Sequence, residues 1–340
     1  MGRGENFEFL QARMLGLYSR FFLNGSIQTL KQVRSLPELW ELAIGTPPPA
    51  LPESALVEAF ERQILHTLLH EMLSLAEGGG SQQCIIAMLR RIELMQVKHL
   101  LHARCAHLPH ISSPIAIPGI NLDQWPDIHG VLRNTPYAWI DEAACRDPAR
   151  TEQMLDAAYY RDLWDILRAL PASRRGSVTD LLRFEIATQN LVWAMRLRKY
   201  FSLDAAGIQP LLVTVPDEDS LAWADQALKN DIMLSASTTH TAGPAHAKER
   251  WSQHDPFSNR IEELVREGPI AAEAAVQQEL LRRCRKALHF DQCTLGSVYA
   301  FFQLYLAEFS LLAGCAEALR LHAEKEDMMR YIWPMAGGAA

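Results

Sequence analysis

The histidines are the residues whose spacing comes nearest to that of a catalytic site. His66 and His70 are four residues apart in a segment with helical periodicity, and Glu71 follows directly. Two imidazoles on one helix face can bind zinc when a third ligand comes from elsewhere in the fold. Thr67 follows His66, so the glutamate of an H-E-x-x-H metalloprotease site is absent. Two surface histidines are the preferred interpretation, and a helical metalloenzyme using His66, His70 and Glu71 is an alternative.

The motifs of other common catalytic sites are missing from the sequence. It contains no G-x-x-x-x-G-K-[ST], no G-x-G-x-x-G and no G-x-S-x-G. The chain is therefore expected to have neither a phosphate-binding loop nor a hydrolase nucleophile of its own. We assign no catalytic, cofactor-binding or metal-binding residue, and we expect no cofactor.

Polar residues inside the most apolar helical segments are the more informative ones. A buried polar group is costly unless it is hydrogen-bonded. We therefore expect these residues to bind neighbouring helices and to fix how the helices pack, in preference to catalysis. The residues of this set, predicted to be structural polar locks, are Glu93, Gln96, Asn190, Arg196 and Glu308.

The elements that would position these residues are helical. Apolar residues recur at steps of three and four in almost every segment, which predicts an all-α fold. The predicted helices are 6–22, 54–75, 82–104, 151–170, 178–201, 260–266, 271–288, 295–313 and 317–332, with a short one near 137–139. The only candidate strand is 211–215, which is too isolated to form a sheet. The polar segment 235–259 is interpreted as an exposed connection.

The long helices occur in three similar pairs. Each pair holds a polar amphipathic helix followed by a more apolar one, which suggests an internal threefold repeat. The predicted bundles are 1–120, 121–235 and 236–340. Three such bundles can close into a ring or stack as a solenoid, and the pattern leaves both open.

Composition excludes several classes of protein. Of the 340 residues, 49% are hydrophobic and 21% are charged, which is typical of a globular chain with a substantial core. The net charge of −7 argues against a general affinity for nucleic acid or anionic lipid. The six cysteines form no C-x-x-C pair, so reduced thiols in the cytoplasm are expected. No signal peptide is evident, and the apolar run 298–313 is shorter than the ~20 residues of a membrane span.

Short motifs in a consistent order along the chain resemble the C/d-type central-stalk family of V-type and A-type ATPases, also known as the 39 kDa family. They are 9–22, Glu93-x-x-Gln96-x-Lys98, Asn134-Thr-Pro-Tyr137, Leu155-Asp156-x-x-Tyr159-Tyr160, Asn190-Leu-x-x-x-x-Arg196 and Leu295-Gly296-x-Val298-Tyr299. Two departures stand out. Ala187 replaces the usual Asp of the second repeat, and Ser310-Leu-Leu-Ala313 replaces the Asn and Arg expected after Glu308.

The resemblance implies three homologous helical bundles around a pseudo-threefold axis, forming a funnel or cup. It also implies a non-catalytic central-stalk subunit that couples the rotor shaft to the membrane rotor ring for ATP-linked proton or sodium transport. The implied partners are the shaft subunits and the ring, and no nucleic acid. The implied location is the inner face of the membrane, with the chain held there through protein partners. The alternative is a helical-repeat interaction scaffold unrelated to ATPases.

Overall fold

Helices account for all regular secondary structure in the computed structural model, which describes residues 3–77, 82–109, 111, 117–215, 220–230 and 255–323. The all-α prediction is confirmed. The α-helices are α1 (Arg3–Tyr18), α2 (Ile27–Leu30), α3 (Leu36–Ile44), α4 (Glu53–Glu77), α5 (Gln82–Cys105), α6 (Ile128–Leu132), α7 (Glu142–Arg146), α8 (Pro148–Arg168), α9 (Ala172–Arg175), α10 (Val178–Phe201), α11 (Ala205–Ile208), α12 (Ala222–Asn230), α13 (Ile261–Glu267), α14 (Pro269–Phe290) and α15 (Leu295–Arg320). Short 3₁₀ helices cover Phe22–Asn24, Leu122–Gln124, Gln209–Leu211 and Pro256–Arg260.

Local signals explain where the long helices begin. The Asp147 carboxylate accepts a hydrogen bond from the Arg150 N–H, and Pro148 occupies the first position of α8, where no N–H is needed. The Thr294 hydroxyl caps α15 through the Gly296 N–H at 3.1 Å. Each long helix then buries an apolar face, so packing rather than propensity stabilises it.

Three consecutive pairs of long helices, α4/α5, α8/α10 and α14/α15, run antiparallel within and between pairs. Arg90 of α5 forms an ion pair with Asp162 of α8, and Lys98, further along α5, forms one with Asp156, which comes earlier in α8. The two helices therefore run in opposite directions. The Ser177 N–H, which starts α10, donates to Asp291 between α14 and α15 at 2.5 Å. The end of the first helix and the start of the second helix of each pair therefore lie at one end of the molecule. We call this end, which holds Glu77 and Gln82, residues 169–177 and residues 291–294, the connection end, and the opposite end the open end.

Contacts between the long helices form a closed cycle. In order, α4 contacts α5, α5 contacts α8, α8 contacts α10, α10 contacts α14, α14 contacts α15, and α15 returns to α4. The last helix, α15, also contacts α10 and α5 across the cycle. This closure is a ring rather than an open solenoid. The threefold relation and the repeat boundaries 1–120, 121–235 and 236–340 stay predictions.

The predicted strand at 211–215 is wrong. After the 3₁₀ turn that ends at Leu211, Leu212 is extended, but residues 212–215 have no neighbouring strand in the part of the chain that the structure describes. The Asn190 side chain takes the place of one: its Nδ2 donates to the Val213 carbonyl and its Oδ1 accepts from the Val213 N–H, both at 2.8 Å. Because the amide satisfies both backbone groups, the segment is stable without a sheet.

The short helix predicted near 137–139 is also wrong, since these residues form turns. The Thr135 hydroxyl accepts from the Tyr137 N–H at 3.1 Å and so competes with helical hydrogen bonding. The separate start predicted at 317 is wrong as well, because α15 runs unbroken from Leu295 to Arg320. The remainder of that prediction, from 324 onward, and most of the predicted connection 235–259 lie outside the described residues.

The length argument made for the apolar run 298–313 needs correction. Helix α15 has 26 residues, and by length and composition alone it could cross a membrane. However, 78% of its most apolar window is buried inside the protein. Burial of this extent is typical of the core helix of a globular domain. Its apolar side chains pack against the other helices of the cycle.

Candidate functional site: the interior of the helix cycle

Two adjoining cavities occupy the interior of the cycle. The first, of about 370 Å³, is lined by α5, α8, α10, α14 and α15. The second, of about 520 Å³, is lined by α4, α5, α15 and the chain that follows α5. Met95 and Ser310 line both cavities, so the two lie next to each other.

A buried carboxylate closes the interior toward the connection end. Glu185 of α10 is 5% exposed and receives four donors from three other helices. These are Arg91 of α5 at 3.1 Å, the Tyr160 hydroxyl of α8 at 2.9 Å, Gln303 of α15 at 2.8 Å, and the Tyr299 hydroxyl of α15. A buried charge is tolerated when it is paired and hydrogen-bonded in this way. We call these five residues the Glu185 hub.

The tyrosines of the hub act as donors. Burial raises the pKa of Tyr160 and that of Tyr299 well above the usual value, and Glu185 raises that of Tyr299 further. Both hydroxyls are therefore protonated at neutral pH. Arg91 also donates to the Tyr160 oxygen at 2.5 Å, so guanidinium, phenol and carboxylate form a connected network. Fully buried side chains, including Leu182 and Val298, fill the space beyond it.

Ion pairs between neighbouring helices line the walls of the first cavity. Lys98 of α5 donates to Asp156 of α8 at 2.7 Å, and Arg196 of α10 pairs with Glu273 of α14. Arg91 and Glu185 also line this cavity, so each positively charged side chain in its lining is paired with a negatively charged one. The first cavity is therefore polar but close to electrically neutral.

The second cavity differs in charge because two carboxylates line it, those of Glu58 and Glu61 of α4. The described residues show no ion pair with Lys or Arg for either of them, and Glu58 lies near His99. Burial raises the pKa of Glu61, and the nearby Glu317 and Glu58 raise it further. Burial lowers the pKa of His99, the one histidine that lines this cavity, so it supplies little positive charge at neutral pH.

The residues predicted to be polar locks lie at different places around this interior. Glu93 is half-buried on α5 and accepts from the Tyr137 hydroxyl at 3.4 Å. Gln96 is buried and lines the second cavity. Arg196 lines the first cavity, where it pairs with Glu273.

Asn190 and Glu308 bind backbone groups from distant parts of the chain. Asn190 is 1% exposed and, besides Val213, donates to the Ser220 carbonyl at 2.8 Å. Glu308 of α15 is 4% exposed and accepts from the N–H groups of Phe22 and Leu23 at 2.7 and 3.0 Å. Burial raises the pKa of Glu308 to about 7, although these two hydrogen bonds lower it. The contacts fasten the segment after α1 to the last helix.

The two departures from the family pattern are accommodated by apolar packing. Ala187 is fully buried in a cluster with Phe184 and Trp223, which leaves no space for a charge. Ser310 donates to the Leu306 carbonyl one turn earlier, and Leu311 and Leu312 are buried. Leu311 and Leu312 make α15 more apolar than the resemblance implies.

The histidine pattern does not assemble into a metal site in the described residues. His66 and His70 are exposed, and Glu71 pairs with Arg13 of α1 at 2.5 Å. No cluster of three or more potential ligands occurs in the described ranges. The ion pair of Glu71 with Arg13 joins α4 to α1.

Sequence reasoning missed the Glu185 hub. Glu185 and Gln303 satisfy the criterion used for the five predicted residues, because each is a polar residue within a strongly apolar helix. Applying that criterion to Phe184-Glu185-Ile186-Ala187 would have found the central carboxylate. Arg91 lies in an Arg-Arg pair, and the sequence does not tell which of the two faces inward. Tyr160 and Tyr299 carry no signal that separates them from ordinary core tyrosines.

Charges in the first cavity are used in pairs that join helices: Arg91 with Glu185, Lys98 with Asp156, and Arg196 with Glu273. The cycle is thus an all-α protein whose helices are joined by interior ion pairs.

Comparison with known proteins gives the family. The sequence pattern of the family described as "ATP synthase (C/AC39) subunit" matches residues 10–331. The chain belongs to this family, whose members are structural rather than catalytic ATPase subunits. It is therefore a subunit of a membrane-associated V/A-type ATPase complex.

A protein of Treponema pallidum (strain Nichols) is similar to this chain over nearly the full length of both. It is 25% identical over 326 residues, which cover 93% of this chain and 92% of that protein. Its description is "Uncharacterized protein".

Proposed function

We propose that the chain is the central-stalk subunit that couples the rotor shaft to the membrane rotor ring of a V/A-type ATPase. The observation that carries the proposal is the match to an ATPase subunit family over residues 10–331. The closed cycle of six long helices, tied together at the Glu185 hub, is consistent with a part that transmits force. The family membership supports assembly with an ATPase.

Torque transmission requires that the subunit not deform under load. The Glu185 hub supports this requirement because it joins α5, α8, α10 and α15, one helix or more from each pair. A charged network that fixes several helices at one point resists shear better than apolar contacts alone, since its geometry is directional. The five predicted polar locks, from Glu93 to Glu308, add similar ties and are proposed to serve the same purpose.

The finer features of the role follow from the same proposal. The three helix pairs are three homologous bundles around a pseudo-threefold axis. The ATPase moves protons or sodium ions, and ATP is bound by other chains. The subunit lies on the cytoplasmic face of the membrane and is held there by its protein partners.

Affinity purification tests this function. A tagged full-length chain is purified from detergent-solubilised membranes of its own cells, and the co-purifying proteins are identified by mass spectrometry. We expect both a membrane rotor-ring subunit and a soluble coiled-coil shaft subunit at amounts comparable to the bait. Purification without any ATPase subunit would contradict the proposal and would favour an unrelated helical-repeat scaffold.

A further inference from the structure

Two cysteines that are far apart in sequence meet at the open end of the helix cycle. Cys105 is the last residue of α5, and Cys145 lies in the short helix α7, just before the second helix pair begins. The Cys105 thiol donates to the backbone carbonyl of Cys145, with 3.2 Å between the sulfur and the oxygen, although 40 positions separate the two residues. Both thiols are free and half-buried.

The two sulfurs lie within reach of each other. The Cys145 carbonyl oxygen is two bonds from the Cα that carries the Cys145 side chain, so the Cys105 sulfur lies beside the backbone of its neighbour. The two side chains also interact electrostatically, because a charge on Cys105 raises the pKa of Cys145. A disulfide requires Cα atoms about 4.4–6.8 Å apart and side chains that point toward each other. We expect rotation of the two side chains to bring the sulfurs together while both helices stay in place.

Contacts on both sides hold the backbone around the pair. Arg104, the neighbour of Cys105, forms an ion pair with Glu142 of α7 at 2.8 Å. The Asp141 carboxylate caps α7 by accepting from the Ala144 N–H at 2.9 Å, and the Thr151 hydroxyl of α8 donates to the Ala144 carbonyl at 2.8 Å. The end of α5 and the whole of α7 are thus held next to each other before any bond forms.

From this arrangement we infer that Cys105 and Cys145 are a redox modification site, at which a low-molecular-weight disulfide such as oxidised glutathione converts two thiols into an intramolecular disulfide. The Cys105 thiolate attacks the small disulfide, which gives a mixed disulfide and releases one small thiol. The Cys145 thiolate then attacks the Cys105 sulfur and releases the second small thiol. The protein gives up two electrons and two protons, and the small disulfide is reduced to two thiols. The inference does not depend on the proposed function.

The acidity of the two thiols sets the order and the speed of these steps. Burial raises the pKa of Cys145 to about 11, and it raises that of Cys105 as well, although Arg104 acts to lower the latter. Only a thiolate attacks a disulfide, so exchange at neutral pH is slow and begins at Cys105. The pair therefore stays reduced in a reducing thiol pool and is oxidised when an oxidised pool persists.

The bond fastens the segment that leads from the first helix pair to the second. This segment includes Leu108 and Ile111, which line the second cavity. Closing a loop of this length restricts the unfolded chain and so favours the folded one. We therefore expect the oxidised chain to melt about 5 °C above the reduced chain.

Oxidation of the purified full-length chain tests the site. The chain is incubated with oxidised glutathione, the remaining thiols are blocked with N-ethylmaleimide, and the products are mapped by peptide mass spectrometry. We expect a disulfide that joins the peptides of Cys105 and Cys145, with a loss of about 2 Da from the pair, and its reversal by dithiothreitol. The melting temperature is measured on the same samples.

Two serine variants separate this site from ordinary thiol oxidation. Cys145→Ser should stop at the mixed disulfide, with glutathione kept on Cys105 and no gain in melting temperature. Cys293→Ser is the matched control, because Cys293 is exposed and lies at the connection end, and it should form the internal disulfide as wild type does. The wild-type peptide map needs no variant, so it decides the matter even if a substitution impairs folding.

Two results would overturn the inference. One is recovery of Cys105 and Cys145 as separate adducts, of glutathione or N-ethylmaleimide, from the oxidised wild-type chain. The other is a disulfide that forms without raising the melting temperature, since it would then arise through local opening of α7 and not from the folded arrangement.

Discussion

The Glu185 hub gives the sharpest prediction for the stability of the fold. Glu185→Gln keeps the size of the side chain but removes its charge. The substituted amide would present an NH₂ group to one pair of neighbours, although Gln303 and Arg91 are themselves donors. The variant would thus remove the charge from every hydrogen bond at this position and leave the Arg91 guanidinium without its carboxylate partner.

The magnitude follows from the exposure of the partners. Removing one member of a fully buried ion pair costs about 3–5 kcal/mol, and hydrogen bonds to a charged group contribute about 1.5–3 kcal/mol each. The Arg91 side chain is 26% exposed, so water can solvate its charge in the variant and offset part of the lost free energy. We therefore expect Glu185→Gln to lower the free energy of unfolding by about 2–4 kcal/mol.

The assay is urea unfolding followed by far-UV circular dichroism, with Glu262→Gln as the exposed control. A double-mutant cycle with Tyr299→Phe separates the hub from general packing. Because both residues belong to one network, their effects should be non-additive by about 1 kcal/mol or more. A loss below about 1 kcal/mol for Glu185→Gln, or strict additivity in the cycle, would refute the reasoning that the hub ties the helices together.

Three further predictions concern other contacts. Glu308 has its folded pKa raised from 4.5 to about 7, so it favours the folded state below pH 4.5 and loses that contribution as pH rises to 7. Wild type should therefore lose up to about 3 kcal/mol relative to Glu308→Gln between pH 4.5 and 7 in urea titrations, and parallel pH profiles would contradict this. Asn190→Leu should lower the free energy of unfolding by about 1–3 kcal/mol, because Val213 loses its amide partner, and an unchanged urea midpoint would contradict it. Gly296→Ala would put a methyl group onto the Asp291 carboxylate, so we expect a loss of about 2 kcal/mol or more in thermal unfolding, and wild-type stability would show that this junction can relax.

The sequence predicted the long helices well because each buries a continuous apolar stripe, a local property that periodicity records. It failed where a tertiary contact decided the local structure. Residues 211–215 have the composition of a strand, but the Asn190 amide from α10 satisfies the backbone of Val213. The helical break expected near 314 did not occur, since α15 continues through the exposed Gly314 and buries Cys315 and Ala316 directly after it.

The interior was harder to predict than the helices. Asn190 and Glu308 stand out in the sequence because each is a polar residue in an apolar helix, and both are buried in the structure. The hub partners Arg91 and Tyr299 come from helices far apart in sequence, and only the packing of α5, α10 and α15 brings them to Glu185. The balance of charge inside the helix cycle likewise depends on which helices are neighbours.

The central claim, that the chain couples the shaft to the ring, is tested most directly by measuring ATP hydrolysis and ion pumping together. Membrane vesicles are prepared from cells that lack the chain and from cells that carry it. We predict that vesicles without it lose ATP-driven ion uptake, while the catalytic head still hydrolyses ATP, and that supplying the chain restores uptake. Ion uptake per ATP that is the same with and without the chain would contradict the account.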